Sequence, residues 1–305
     1  MAEPPSVSVV LPFFQRADSV VAAAESVLAQ AGVAVELVAV DDGSTDDAAA
    51  RLLALGDARL RVLRHESNRG AAAARNSGIA AAAHDLIAFL DSDDAFLPGK
   101  LAAQAALLRA DRLDLCFGGF LLEGAGGSSL VTLPARSAEA WAAGFLDGCR
   151  VSPGSTMLAT RAALARLGPY DEALGRLEDW DLMLRAATMG LKFGAIAAPV
   201  ARVNPARHPP PAAVDPALEA IATRHAAAVA LRWGAAGRRR LCASIAIERA
   251  VARWRAGRRL AGIFALLPAL AAPARLGALI AGRRTRTVAS FPPSAYAPGR
   301  MEGTR

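Results

Sequence analysis

Cysteine is scarce in this chain: three residues in 305, Cys116, Cys149 and Cys242, far apart and in no C-x-x-C spacing. That excludes a disulfide framework and a structural zinc site, and predicts a reducing compartment. Histidine is nearly as sparse. His65, His84, His208 and His225 are scattered and form no metal-binding pattern along the sequence. Lysine occurs only at positions 100 and 192, so almost all positive charge is arginine. No G-x-G-x-x-G, H-E-x-x-H or G-x-S-x-G is present, and "FLPGK" lacks the first glycine and the following Ser or Thr of a phosphate loop. The N-terminal "MAEPPSVSVV" has an acid, two prolines and no basic run, so no secretory signal is expected. The longest apolar stretch, Leu260–Gly282, is interrupted by two prolines and Arg275, which favours an amphipathic or core-packed helical hairpin over a membrane span.

Alanine dominates a composition that is 53% hydrophobic, enough for one large domain with an appendage and for easily formed helices. The net charge of +7 is unevenly divided. Residues 1–200 hold 17 basic and 24 acidic side chains, whereas residues 201–305 hold 18 arginines and four acids. An acidic body therefore carries a strongly basic C-terminal region. Two readings stand for that region: contact with an anionic membrane surface, or a set of solvated helix faces. Aromatic residues are too few there, and no known module is present, so no nucleic-acid partner is expected.

Strand and helix signals alternate through the first 110 residues. "VSVVLP" (Val7–Pro12), Val35–Val40, Arg59–His65 and Asp85–Leu90 read as strands. Asp18–Gln30 with Asp18 as N-cap, Thr45–Leu55, Gly70–Ala83 and Pro98–Ala110 read as the intervening helices. The alternation predicts an α/β fold, a mostly parallel sheet flanked by helices, with ligands at the carboxyl ends of the strands. Asp114–Leu122 and Ser129–Leu133 read as a strand pair, and Glu178–Gly190 as a helix. The expected organisation is an α/β domain at 1–204, a proline-rich linker at 205–216, a basic helical extension at 217–284 and a disordered tail at 285–305.

Chemistry-bearing residues fall at the predicted strand ends. Asp41 and Asp42 close the second, Asn68 follows the third, and Asp91, Asp93 and Asp94 close the fourth. Three carboxylates within four positions repel one another, which a fold tolerates where a ligand compensates the charge.

Five stretches in order, "SVVLPFFQRADSVVAAAESVLAQ", "ELVAVDDGSTDD", "NRGAAAARNSGI", "IAFLDSDD" and "LEDWDLMLRAATMG", resemble family two of the nucleotide-sugar glycosyltransferases over residues 6–203. The resemblance implies a GT-A fold and an inverting transfer of sugar from a nucleoside diphosphate sugar to an acceptor hydroxyl, in cell-envelope or exopolysaccharide assembly. It implies that Asp91 and Asp93 hold a divalent cation, Mg²⁺ or Mn²⁺, which prefers carboxylate oxygen and neutralises diphosphate charge. Donor-binding roles are implied for Pro12, Phe14, Asp41, Asn68, Arg75 and Asp91, with a UDP-sugar favoured. Asp94 assists there or caps the following segment. Asp42, Gly43 and Ser44 shape a turn. The base that takes the acceptor proton corresponds to Asp179, with Glu178 the neighbouring candidate and Asp181 a weaker one. Trp180 stacks on a sugar or packs.

The sequence departs from the family where a histidine is frequent after the last domain strand: "ARVNPARH" has Asn204 there and His208 four residues on. The acceptor is expected to be a glycan or lipid-linked. Location is expected to be cytoplasmic, peripheral on the inner face of the membrane. Alternatives are a transferase that loads sugar onto polyprenyl phosphate, a nucleotidyltransferase and a catalytically silent nucleotide-sugar binding module.

Overall fold

The structure, a computed structural model, describes residues 3–124, 127–205 and 210–271. Its first half realises the strand–helix alternation. β1 (Ser6–Phe13), α1 (Val20–Leu28), β2 (Ala34–Asp41), α2 (Ala48–Leu53), β3 (Leu60–Arg64), α3 (Ala71–Ala81) and β4 (Leu86–Phe89) follow in turn. β1 pairs in parallel with β2 on one side and β4 on the other, and β3 continues the sheet beyond β2. Parallel strands covered on both faces read as continuous apolar runs, and β1 is buried from Val7 to Phe13. Asp18 does not cap α1. Ser19 precedes the helix and caps it with no side-chain bond, because the chain first makes a turn closed by the N–H groups of Ser19 and Val20 on Arg16 O.

The second half turns the sheet mixed. β5 (Ala95–Phe96), α4 (Lys100–Ala110), β6 (Leu115–Leu122), β7 (Ser129–Val131) and α5 (Ala138–Gly144) are followed by the short α6 (Pro153–Thr156), β8 (Leu158–Thr160) and α7 (Arg161–Leu167). Then come α8 (Glu178–Thr188) and β9 (Phe193–Val203). The strand order is β3-β2-β1-β4-β8-β6-β9-β5, with β7 on β6. β8 runs antiparallel between β4 and β6, while β9 lies parallel to β6. This arrangement brings the ends of β1, β2 and β4 to face α6 and the start of α8.

Beyond β9, α9 (Pro211–Arg255) begins inside the stretch expected to be a linker. Pro211 occupies the first helical position, where its missing N–H costs nothing and its fixed φ suits the helix. Pro216 is also accommodated within the helix, which breaks later at Gly234. α9 is not detached: its Val214, Leu218, Ile221, Val229 and Leu241 share one core with Phe89, Phe117 and Trp180. A second core lies on the other face of the sheet, between α1, α4 and the strands, around Val9, Leu11, Leu37 and Leu101. α10 (Arg259–Ala265) and a 3₁₀ turn at Leu267–Ala271 fold back along α9. The hairpin expected at Leu260–Gly282 is described only this far, and the tail at 285–305 and His208 lie outside the described residues. Among the described residues no helix is long and apolar enough to cross a membrane.

Candidate active site

A cleft of about 1560 Å³ opens where the carboxyl ends of β1 and β4 meet α6 and α8. Pro12, Phe14, Asn68, Arg75, Asp91 and Asp93 all line it, as do Glu178 and Asp179 from the far wall. These family-implied residues, spread over 168 positions of sequence, thus meet in one place. Phe14 is 41% exposed at the end of β1, so its ring is offered to the cleft rather than packed in the core.

Asp41 lies deeper. It is fully buried; Oδ1 accepts the Ser44 N–H at 2.8 Å, and Oδ2 has no hydrogen-bond partner. Arg64 Nε lies 3.5 Å from Oδ2, an ion pair without a hydrogen bond, which leaves that oxygen free to accept from a ligand. Asp42, by contrast, is fully engaged. It meets His65 Nδ1 at 2.7 Å and accepts the Arg69 and Gly70 N–H groups at 3.0 and 2.7 Å, so it shapes the loop that carries Asn68.

Arg75 sits at the centre. Its side chain is 5% exposed. Nη2 donates to Asp91 Oδ1 and Nη1 to Glu178 Oε1, each at 2.8 Å; Asp179 Oδ1 is 4.0 Å away. The guanidinium also lies 5.5 Å from the Tyr170 ring centroid. Asp179 Oδ1 is buried with no hydrogen-bond partner. Burial pushes the Asp179 carboxyl up to about 7; the Arg75 charge opposes that rise, while Glu178 and Asp91 add to it. Asp179 therefore has the environment of a proton acceptor working near neutrality.

The three strand-end carboxylates have different surroundings. Asp91 and Asp93 are half-exposed, and Asp93 is 3.3 Å from Arg16. Asp94 is buried, accepting the Asn204 N–H at 2.8 Å and the Ser155 hydroxyl. Burial, reinforced by the Asp91 charge, raises its carboxyl to about 7. Asp94 thus ties β4 to α6 and to the end of β9, while Asn204 also donates its side chain to the Asp93 carbonyl.

The donor set suits a hard divalent cation. Two half-exposed carboxylates face one cleft, and a Cβ at Gly154 would stand 2.4 Å from Asp91 Oδ2, so glycine there keeps room for the carboxylate. Among the described residues no three His, Cys, Asp or Glu side chains form a cage. Asp91 and Asp93 alone would supply one or two oxygens to Mg²⁺ or Mn²⁺, the remainder having to come from phosphate and water.

Two weaker candidates have structural work instead. Asp181 is fully buried, 2.9 Å from Arg185 Nε, 2.7 Å from Arg224 Nη1 and 2.8 Å from His225 Nε2. Burial alone would raise its carboxyl, but the His225 bond and the arginines win and hold it at about 2. Trp180 is 1% exposed and donates Nε1–H to the Phe145 carbonyl at 2.7 Å, so it packs. Sequence reasoning missed Arg16, Gly154, Ser155 and Tyr170. It also missed two non-glycine residues lining the cleft at positive φ, Ser152 (+48°) and Leu177 (+63°). Leu177 immediately precedes Glu178, so backbone strain is concentrated where the two acids enter the cleft.

Residues 8–141 match the family described as Glycosyl transferase family 2. That stretch of the chain is a domain of the family. A succinoglycan biosynthesis protein of Rhizobium meliloti (strain 1021), ExoU, is 36% identical over 227 residues, which are 64% of this chain and 60% of that protein. The Escherichia coli protein WfgD, named a UDP-Glc:alpha-D-GlcNAc-diphosphoundecaprenol beta-1,3-glucosyltransferase, is 33% identical over 114 residues, 37% of this chain and 45% of WfgD. The aligned regions thus span less than two thirds of these relatives. The crystal structure of S. aureus TarS 1-349 in complex with UDP-GlcNAc superposes with a TM-score of 0.62 at 16% identity, over 91% of this chain and 92% of that one. At that identity the likeness is one of fold: the sheet and flanking helices are those of a GT-A glycosyltransferase.

Proposed function

We propose that the protein transfers a sugar from a nucleoside diphosphate sugar to an acceptor hydroxyl, with inversion at the anomeric carbon and dependence on a divalent cation, in envelope polysaccharide assembly. One observation carries this reading: Asp91 and Asp93 share a cleft with Asp179, whose buried Oδ1 has no hydrogen-bond partner, and Arg75 spans the two sides. Asp41, Asn68, Pro12 and Phe14 bind the base and ribose end of the donor. Asp91 and Asp93 would hold the cation, which when bound would supply neutralisation of the diphosphate charge. Asp179 accepts the acceptor hydroxyl proton as that oxygen attacks the anomeric carbon and the bond to the diphosphate breaks. Glu178, held by Arg75, positions that arginine beside the base.

UDP-sugars are the favoured donors, a choice supported by the names of WfgD and of the TarS complex. The acceptor is a glycan or lipid-linked glycan, in line with the succinoglycan and diphosphoundecaprenol relatives. A polyprenyl phosphate acceptor is already anionic near neutral pH and needs no base, so the orphaned Asp179 oxygen favours a hydroxyl. A cytoplasmic location accords with three unpaired cysteines. The test is hydrolysis and binding of UDP-, GDP- and dTDP-sugars with Mn²⁺ and with chelator. Cation-dependent turnover of a UDP-sugar is expected; donor binding that ignores chelator would overturn the cation, and no turnover with any donor would favour a silent binding module.

A further inference from the structure

The segment that folds back along α9 is built inside out. Apart from the partly buried Leu266, its inward side is made of small residues. Gly262 is buried, and a Cβ there would lie 3.2 Å from the Ala250 carbonyl, while Ala269 is fully buried against Ala243, Ala246 and Ile247. Its large side chains face water instead: Leu260 is 73% exposed, Ile263 53%, Phe264 68% and Leu267 58%. These four stand at i, i+3, i+4 and i+7, the spacing with which a surface helix normally meets its core. Trp254, half-exposed at the end of α9, adds an indole beneath the Arg259 guanidinium, 5.9 Å from the ring centroid.

Of nine exposed large hydrophobic residues among those described, five fall within this stretch of 14 positions, so the patch is concentrated rather than scattered. Its charge has one sign. Arg258 and Arg259 are exposed at its edge, and no Asp or Glu occurs between Arg249 and Met301, a span holding ten arginines.

We propose that the outward face of α10, with Trp254, is a docking surface for an anionic lipid bilayer. An apolar stripe sinks into the boundary between head groups and acyl chains, an indole suits that boundary, and arginines at the rim meet anionic head groups. Aliphatic side chains in the middle of the stripe disfavour nucleic acid, which would need aromatic stacking or a polar face there. The surface belongs to a different part of the chain from the cleft and stands independently of the transferase reading.

Flotation of the full chain with vesicles tests it. Binding is expected to phosphatidylcholine vesicles containing phosphatidylglycerol, and not to phosphatidylcholine alone, with a blue shift of tryptophan emission and release at high salt. The Arg258→Ala/Arg259→Ala variant is expected to bind about thirtyfold more weakly, from about 1 kcal/mol per arginine near the surface. Leu260→Ser/Phe264→Ser is expected to lose the blue shift, and both variants are expected to keep hydrolysis of a soluble donor and the wild-type unfolding midpoint. Equal binding to neutral vesicles, no binding to either, or unchanged binding by both variants would overturn the proposal. So would sedimentation showing a dimer that Leu260→Ser/Phe264→Ser dissolves, since a second copy would then be what covers the stripe. A protein that floats but turns over no donor would leave the surface standing and remove the transferase reading alone.

Discussion

Arg75 Nη2 donates to Asp91 Oδ1 at 2.8 Å, and the other arm of the same guanidinium reaches Glu178 Oε1 at 2.8 Å. One buried cation therefore joins the end of β4 to the start of α8. Arg75→Lys is expected to reduce both donor affinity and turnover, because a single ammonium cannot span the two carboxylates as a planar fork does. Arg75→Met leaves those acids uncompensated and is expected to destabilise the fold by about 3–5 kcal/mol, read by denaturant unfolding.

Asp179→Asn is expected to leave donor binding intact while turnover falls by about 10²–10⁴, the usual contribution of a general base. Titration calorimetry with a UDP-sugar and Mn²⁺, beside steady-state rates, separates the two effects. Equal turnover in the variant and the parent would remove Asp179 from the chemistry. Asp93→Asn is expected to show the opposite pattern, with cation-dependent donor binding lost.

The rate should follow the protonation of Asp179. Its carboxyl is raised to about 7 in the free protein and a base acts when ionised, so kcat/KM is expected to climb as pH rises through about 7 and then level off. Stability responds in the other sense. A carboxyl raised by folding favours the protonated native state, so its contribution is full below the unfolded value near 4 and declines as pH rises toward 7. A pH–rate profile and unfolding midpoints over the same range check both signs.

Gly154→Ala probes Asp91, the proposed cation ligand, without replacing it. The new Cβ would stand 2.4 Å from Asp91 Oδ2, and a carboxylate at the end of a side chain can shift more cheaply than backbone. The fold is expected to survive while the Mn²⁺ concentration for half-maximal activity rises. An unchanged metal requirement would argue against Asp91 as a ligand.

Asp181 predicts behaviour in acid. Its carboxyl is held at about 2 although it is fully buried, so the stability it provides is present above about pH 4 and lost as pH falls through about 2. The shift corresponds to about 2 kcal/mol. Asp181→Asn is expected to unfold at lower denaturant at pH 7 and to show a weaker dependence on pH between 4 and 2.

Much of this was legible in the sequence because the signals were local. Apolar runs gave β1 to β4 to within a residue or two, and the acids at Asp41, Asp91 and Asp93 sit at strand ends, where an α/β fold opens its ligand crevice. What escaped was assembled from a distance. Gly154 and Ser155 reach Asp91 and Asp94 from a four-residue helix about 60 positions later, in a Ser-Pro-Gly context that reads as an ordinary turn. Asp181 looked like a neighbour of the base, and only its partners on α9 show it to be a clamp. The start of α9 was hidden for a related reason: three consecutive prolines read as a break, yet a proline at the first helical position begins a helix well.

The shared core of α8 and α9 bears on how this protein can be cut. Val214, Leu218 and Ile221 cover the same apolar interior as Trp180, and Arg224 and His225 hold the helix on which Asp179 stands. A fragment trimmed after Asn204, the boundary that family likeness alone suggests, would bare a greasy seam and leave Asp181, two positions from Asp179, without Arg224 and His225. The smallest workable enzyme therefore includes α9.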